Sequence, residues 1–235
     1  MAETPQSPTS AGPGSGATTD ADALRLAPAA HLAGAMREGS SSGPRGVELT
    51  EHPFALQVGL RAVPGSPSAD ALAAAAGVDL PTRAGEVTGD VAGRHIVWMA
   101  PDEFLLIDVS SPQRPEDARP LQEALDGIPG QAVDLSANRT TLVLRGPSAR
   151  AVLEKGCQLD LHPRVFAAGS AAVTQIGVVP VILVRSAEEE WRIAPRASFA
   201  DYLVRWLLDG MVEFREERSP EDEEHEHTVR PAQVG

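Results

Sequence analysis

The longest apolar stretch in this chain, residues 176–184, is broken by Gly177 and Pro180. A bilayer-spanning helix needs about 20 consecutive apolar residues. The apolar side chains must therefore be hidden in many short elements packed on one another. Aromatic residues are only 4% of the composition, so Val, Leu, Ile and Ala have to supply the core. The 20 basic and 33 acidic residues leave a net charge of −13. That balance argues against general nucleic-acid binding and against docking on an anionic membrane, both of which need a basic face. Cys157 is the sole cysteine, which excludes an intrachain disulfide and a cysteine-based zinc site and points to a reducing compartment. The N-terminus has no basic start followed by an apolar run, so the expected location is the cytoplasm.

Composition divides the chain. Residues 1–22 are Ser, Pro, Gly and Thr-rich and are expected to be disordered. Residues 23–46 read as a partly flexible leader around a short apolar island. Residues 47–214 form the foldable domain, and residues 215–235 an acidic, solvated tail. His225 and His227 belong to that tail.

Within the domain, 54–60, 94–99, 104–109, 132–135, 140–145, 171–176, 179–185 and 191–194 read as strands. Helices are expected over 68–77, capped by Ser68 and stopped by Gly77, and over 115–126. Another is expected from Pro147 to a stop at Gly156, and a last one from Ser198, with Asp201 completing a cap. Phe199, Tyr202, Leu203, Trp206, Leu207 and Phe214 are expected on one core-facing stripe of that last helix. Hairpins mixed with helices, without strict βαβ alternation, indicate an α+β fold.

No catalytic constellation stands out. The Gly-rich run Gly12-Pro13-Gly14-Ser15-Gly16 follows no strand and opens no helix, so it lacks what a phosphate loop requires. Cys157 and His162 lie five residues apart with Asp160 between them; packing and loop structure are the favoured reading over a thiolate–imidazole pair. One segment is more distinctive. Asp134, Ser136, Asn138, Arg139 and Thr140 crowd between two apolar strands, either as tight-turn structure or as a contact surface in which Arg139 clamps a carboxylate or a backbone carbonyl.

Three runs carry a resemblance: Val133-Asp134-Leu135-Ser136-Ala137-Asn138-Arg139-Thr140, then Leu144-Arg145-Gly146-Pro147-Ser148-Ala149-Arg150, then Leu153-Glu154-Lys155-Gly156-Cys157-Gln158-Leu159-Asp160-Leu161-His162-Pro163. Together with Trp98-Met99-Ala100-Pro101-Asp102-Glu103-Phe104 and Ser198-Phe199-Ala200-Asp201-Tyr202, they resemble the gamma subunit family of heterotetrameric sarcosine oxidase. The resemblance spans residues 24–214. It implies a two-part α+β architecture similar to the folate-binding domain of aminomethyltransferases. It implies a structural subunit with alpha, beta and delta partners, in a complex that oxidatively demethylates sarcosine to glycine, passes the one-carbon unit to tetrahydrofolate and releases hydrogen peroxide. FAD, FMN, NAD and tetrahydrofolate are expected in the partner chains. Asp134, Ser136, Asn138, Arg139, Thr140, Cys157, Asp160, His162 and Pro163 are the expected structural or interface residues. Lys155-Gly156-Cys157 also resembles the start of a signature of stand-alone folate-binding repair proteins, but Gln158 and the run from Asp160 to His162 depart from it. A folate-binding module is the alternative reading.

Overall fold

The computed structural model describes residues 24–215. The Ser/Pro/Gly-rich start, the acidic tail beyond Arg215, and His225 and His227 lie outside the described residues. Two five-stranded antiparallel sheets stack face to face, each backed by helices on its outer side.

The first sheet runs β1 (Glu48–His52), β7 (Thr141–Arg145), β10 (Glu190–Pro195), β9 (Val179–Ala187), β8 (Ser170–Ile176). Its outer face is covered by α1 (Ala33–Gly39), α4 (Ala149–Glu154) and α5 (Ala200–Met211). The second runs β3 (Val87–Gly89), β4 (Arg94–Ala100), β5 (Glu103–Pro112), β2 (Ala55–Arg61), β6 (Gln131–Asp134). It is covered by α2 (Pro67–Ala76) and α3 (Arg119–Glu123). Strand alternation makes this four-layer stack possible. On β9, Val181 and Leu183 face the helices while Ile182 and Val184 face the other sheet. On β5, Phe104 and Leu106 face α2 while Leu105, Ile107 and Val109 meet the first sheet.

The second sheet is a continuous insertion, β2 to β6, between the paired strands β1 and β7. The chain leaves the first sheet through Pro53 and Phe54 and returns through residues 135–140. Phe54 makes the outward crossing with a left-handed φ of +59°, a conformation that bulky residues rarely adopt. The Arg25 guanidinium sits 4.3 Å over its ring.

Several local expectations shift. The leader contributes α1 and the buried Ala29, Leu32 and Met36 to the first sheet's core. Ser66 caps α2, accepting from the Ala69 amide at 3.3 Å with Pro67 at the first helical position, and Ser68 is buried behind it. The 115–126 helix shortens to α3, because residues before Arg119 form turns. α4 begins at Ala149, two residues after Pro147, and the Ser148 hydroxyl donates to the Arg45 carbonyl at 2.8 Å. Residues Ala197–Phe199 form a 3₁₀ turn ahead of α5, so Ser198 lies inside a helical turn and caps nothing. The buried face of α5 is Ala200, Leu203, Val204, Leu207 and Met211; Phe199 and Tyr202 are exposed. Two strands, β1 and β3, lie outside every expected element.

Candidate functional site

The distinctive polar segment, 134–140, is the return crossing between the sheets, and its polar groups bind both sides. The Asp134 carboxylate accepts from the Ser136 amide at 2.9 Å and the Ser136 hydroxyl at 2.6 Å, closing a tight turn. The Gln57 amide of β2 donates to the Ser136 hydroxyl at 2.9 Å, and the Leu135 amide donates to the Gln57 carbonyl at 2.8 Å. On the opposite flank, the Ala197 amide donates to the Asn138 carbonyl at 2.8 Å. Arg139 points inward and donates to the Ala194 carbonyl at 3.0 Å. Burial, and secondarily the neighbouring Arg196, lower the Arg139 pKa, which nevertheless leaves a guanidinium charged at neutral pH. Thr140 is buried and donates to the Glu51 carboxylate, which also accepts from the Ala29 amide at 3.0 Å. The crossing thereby also fastens the leader.

Asp134 extends this network to the outward crossing. Its second oxygen accepts from Gln113 at 3.1 Å. The Gln113 amide donates to the Phe54 carbonyl at 2.7 Å, and Arg25 donates to the Gln113 carbonyl at 2.8 Å.

Cys157, Asp160, His162 and Pro163 occupy a separate loop at the far edge of the first sheet, beside β8. Cys157 is buried, bridges Ile176, and places Sγ 3.9 Å from the Thr174 hydroxyl. Asp160 accepts from the His162 amide at 2.9 Å, and His162 Nδ1 accepts from the Arg164 amide at 3.2 Å. His162 and Pro163 are exposed. These are loop-forming bonds, and no contact pairs the Cys157 thiol with the His162 imidazole. The loop is pinned at Phe166. Its ring stacks on Trp191 at 5.6 Å, and buried Arg185 donates to its carbonyl at 2.8 Å.

Sequence reading missed a polar group on the inter-sheet face. Gln57 and His95 both register against Ile107 of β5, on either side of it, and both are buried. His95 Nδ1 donates to the Gly93 carbonyl at 3.3 Å, while His95 Nε2 and Gln57 Oε1 have no partner among the described residues. Burial, and secondarily Arg192, lower the pKa of His95, and the same two causes lower that of His52. The only advance signal was two polar residues at core-parity positions of apolar strands.

A groove of about 1350 Å³ opens between the leader and β1, lined by Arg25, Met36, Glu48, Thr50 and Phe54 among others. None of the nine expected residues lines it. Among the described residues, no three His, Cys, Asp or Glu side chains gather as a metal site, and no helix is long and apolar enough to cross a membrane.

A profile of the sarcosine oxidase gamma subunit family matches residues 62–213. The chain is 51% identical over 195 residues to the sarcosine oxidase subunit gamma of Corynebacterium sp. (strain U-96), covering 83% of this chain and 94% of that one. It is 48% identical over 195 residues to the subunit gamma of an Arthrobacter species, with the same coverage. Among solved structures it matches, at TM-score 0.79 and 50% identity, a chain of the heterotetrameric sarcosine oxidase from Corynebacterium sp. U-96 in complex with pyrrole 2-carboxylate, over 83% of this chain and 99% of that chain. The glycine cleavage system aminomethyltransferase T from Bartonella henselae matches at TM-score 0.55 and 18% identity, over 79% of this chain and 57% of that one, a likeness of fold alone. The chain belongs to the sarcosine oxidase gamma subunit family.

Proposed function

We propose that this chain is a structural subunit of a heterotetrameric sarcosine oxidase, lending a rigid surface to alpha, beta and delta partners and breaking no bond itself. The observation that carries this reading is the likeness, at 50% identity over 99% of its length, to one chain of such a heterotetramer. In this reading the oxidative demethylation of sarcosine to glycine, the one-carbon transfer to tetrahydrofolate and the release of hydrogen peroxide run in the partner chains. Those chains hold FAD, FMN and NAD, and the complex is cytoplasmic. Asp134, Ser136, Asn138, Arg139 and Thr140 serve by fixing the two sheets against each other. Asp160, His162 and Pro163 shape an edge loop, and Cys157 packs.

The packing between the sheets supports assembly over a folate-binding module. Ala55, Val97, Leu105, Ile107, Ala171, Ile182 and Val184 fill the layer where a ligand between the halves would lie. The test is co-expression with the alpha, beta and delta chains, read by size exclusion and flavin absorbance. Co-elution of all four chains is expected. Three chains assembling without this one would overturn the reading. Titrating the isolated chain with tetrahydrofolate should give no saturable signal; saturation would favour the module instead.

A further inference from the structure

The chain has nine aromatic residues, and three of them, Phe199, Tyr202 and Trp206, fall along one side of α5 and the turn that opens it. Their spacing of three and four residues puts them on one stripe, beside the buried face. Phe199 is 41% exposed and Tyr202 49%. Trp206 is half-buried, laid against the backbone of two loops. A Cβ on Gly156 would come within 2.6 Å of the indole, and one on Gly177 within 3.5 Å. Gly156 is thus the residue that lets the ring lie flat. Val178, next along from Gly177, is 75% exposed and extends the apolar surface. Around the helix from the stripe, Asp201 accepts from Arg205 at 2.8 Å and lies 2.7 Å from His31 Nε2, so the charges there are mutually paired.

Rigid aromatic side chains with an apolar neighbour and a self-neutralised polar rim are what protein interfaces concentrate, and what they use as anchors. The related gamma chains are matched over 94% and 99% of their own length, so they have almost no further chain of their own to cover this stripe. We infer that the Phe199–Tyr202–Trp206 stripe with Val178 is where this chain docks on an apolar surface of another subunit of the oxidase. The inference rests on the assembly reading and adds the surface.

Tyr202 is the only tyrosine in the chain, which makes it a single-site reporter. Nitration with tetranitromethane, mapped by peptide mass spectrometry, is compared between the isolated full chain and the four-chain complex. The expected result is ready modification in the isolated chain and modification slowed about tenfold or more in the complex. Equal reactivity in both overturns the inference. So does protection already present in the isolated chain, which would mean cover by a second copy or by the chain's own ends. Y202E should lower recovery of the four-chain complex about tenfold or more at fixed concentrations, with the isolated variant's circular dichroism unchanged; undiminished recovery overturns the inference. A wild-type chain that joins no complex at all would instead bring down the assembly reading beneath it.

Discussion

The two sheets are backed unequally. Among the described residues, the sheet of β1 and β7–β10 buries twenty-five apolar side chains beneath three helices, including Trp191, Phe166 and Phe214. The inserted sheet buries thirteen beneath two, and its main helix presents Ala69, Leu72 and Ala76. With Ala69 and Ala76 flanking Leu72, few large groups interlock around this layer, so it can close over a lost side chain. The other layer is thick and built from interlocking large groups. Stability should therefore be concentrated in the half built on the first sheet, the outer half in chain order, with the inserted half held in place by the inter-sheet layer and its two crossings.

Matched truncations test this most strongly. Leu203→Ala in α5 should cost about 4 kcal/mol and Leu72→Ala in α2 about 2.5 kcal/mol by denaturant unfolding, since the cost grows with the cavity that fails to collapse. Equal costs would break the contrast. Arg185→Met comes next. Its guanidinium donates to the Phe166 and Glu188 carbonyls and lies 5.4 Å over the Trp191 ring, so its loss should cost about 2–3 kcal/mol and free the 160–166 loop, seen as faster hydrogen exchange there.

The pH dependence sharpens the comparison on the inter-sheet side. His95 and His52 have folded pKa values below the ordinary 6.5, so the unfolded chain takes up their protons first. Their contribution is fully present above pH 6.5 and is lost as pH falls through the folded values. The slope should be no steeper than about 1.4 kcal/mol per pH unit for each imidazole. His95→Gln should flatten the curve below pH 6.5; an unchanged curve would remove His95 from the account. The smallest effect is expected from Ser66→Ala, about 1 kcal/mol for the lost α2 cap, with the outer half's exchange rates unmoved.

Much of this architecture could be read from the chain. The hairpin of β4 and β5 turns at Pro101 and Asp102 where turn chemistry puts it, and β8, β9 and β10 fall within two residues of their apolar runs. Elements whose stability comes from elsewhere could not. β1 reads Glu-Leu-Thr-Glu-His, with only Leu49 buried, because it is an edge strand whose Glu51 is consumed by Ala29 and Thr140. Its partners lie 22 and 89 residues away, beyond the reach of any local pattern. The same holds for the polar crossing. That Asp134 and Ser136 form a turn was legible from their spacing, but Arg139 finding the Ala194 carbonyl depends on the finished fold. Nothing local to Lys155 points to its partners, yet it donates to the Gly210 carbonyl and pairs with Glu213, fastening the end of α5. Phe199 and Tyr202 satisfy helical periodicity yet lie outside the core, because periodicity reports that a stripe is apolar without reporting what covers it.

The insertion of one sheet inside a strand pair has a kinetic consequence. Glu48 and Arg145 are in register across β1 and β7 although 97 positions separate them. Once β2 and β6 have zipped, with Val58 opposite Asp134, the ends of the intervening chain are already neighbours. For His52 and Thr141, the paired residues nearest the insertion, the slack left to close shrinks from 89 residues to about 13, which lowers the entropic cost of the last joining step by about 2 kcal/mol. The weaker half should thus be the earlier one to form, a template whose completion brings the stronger half together.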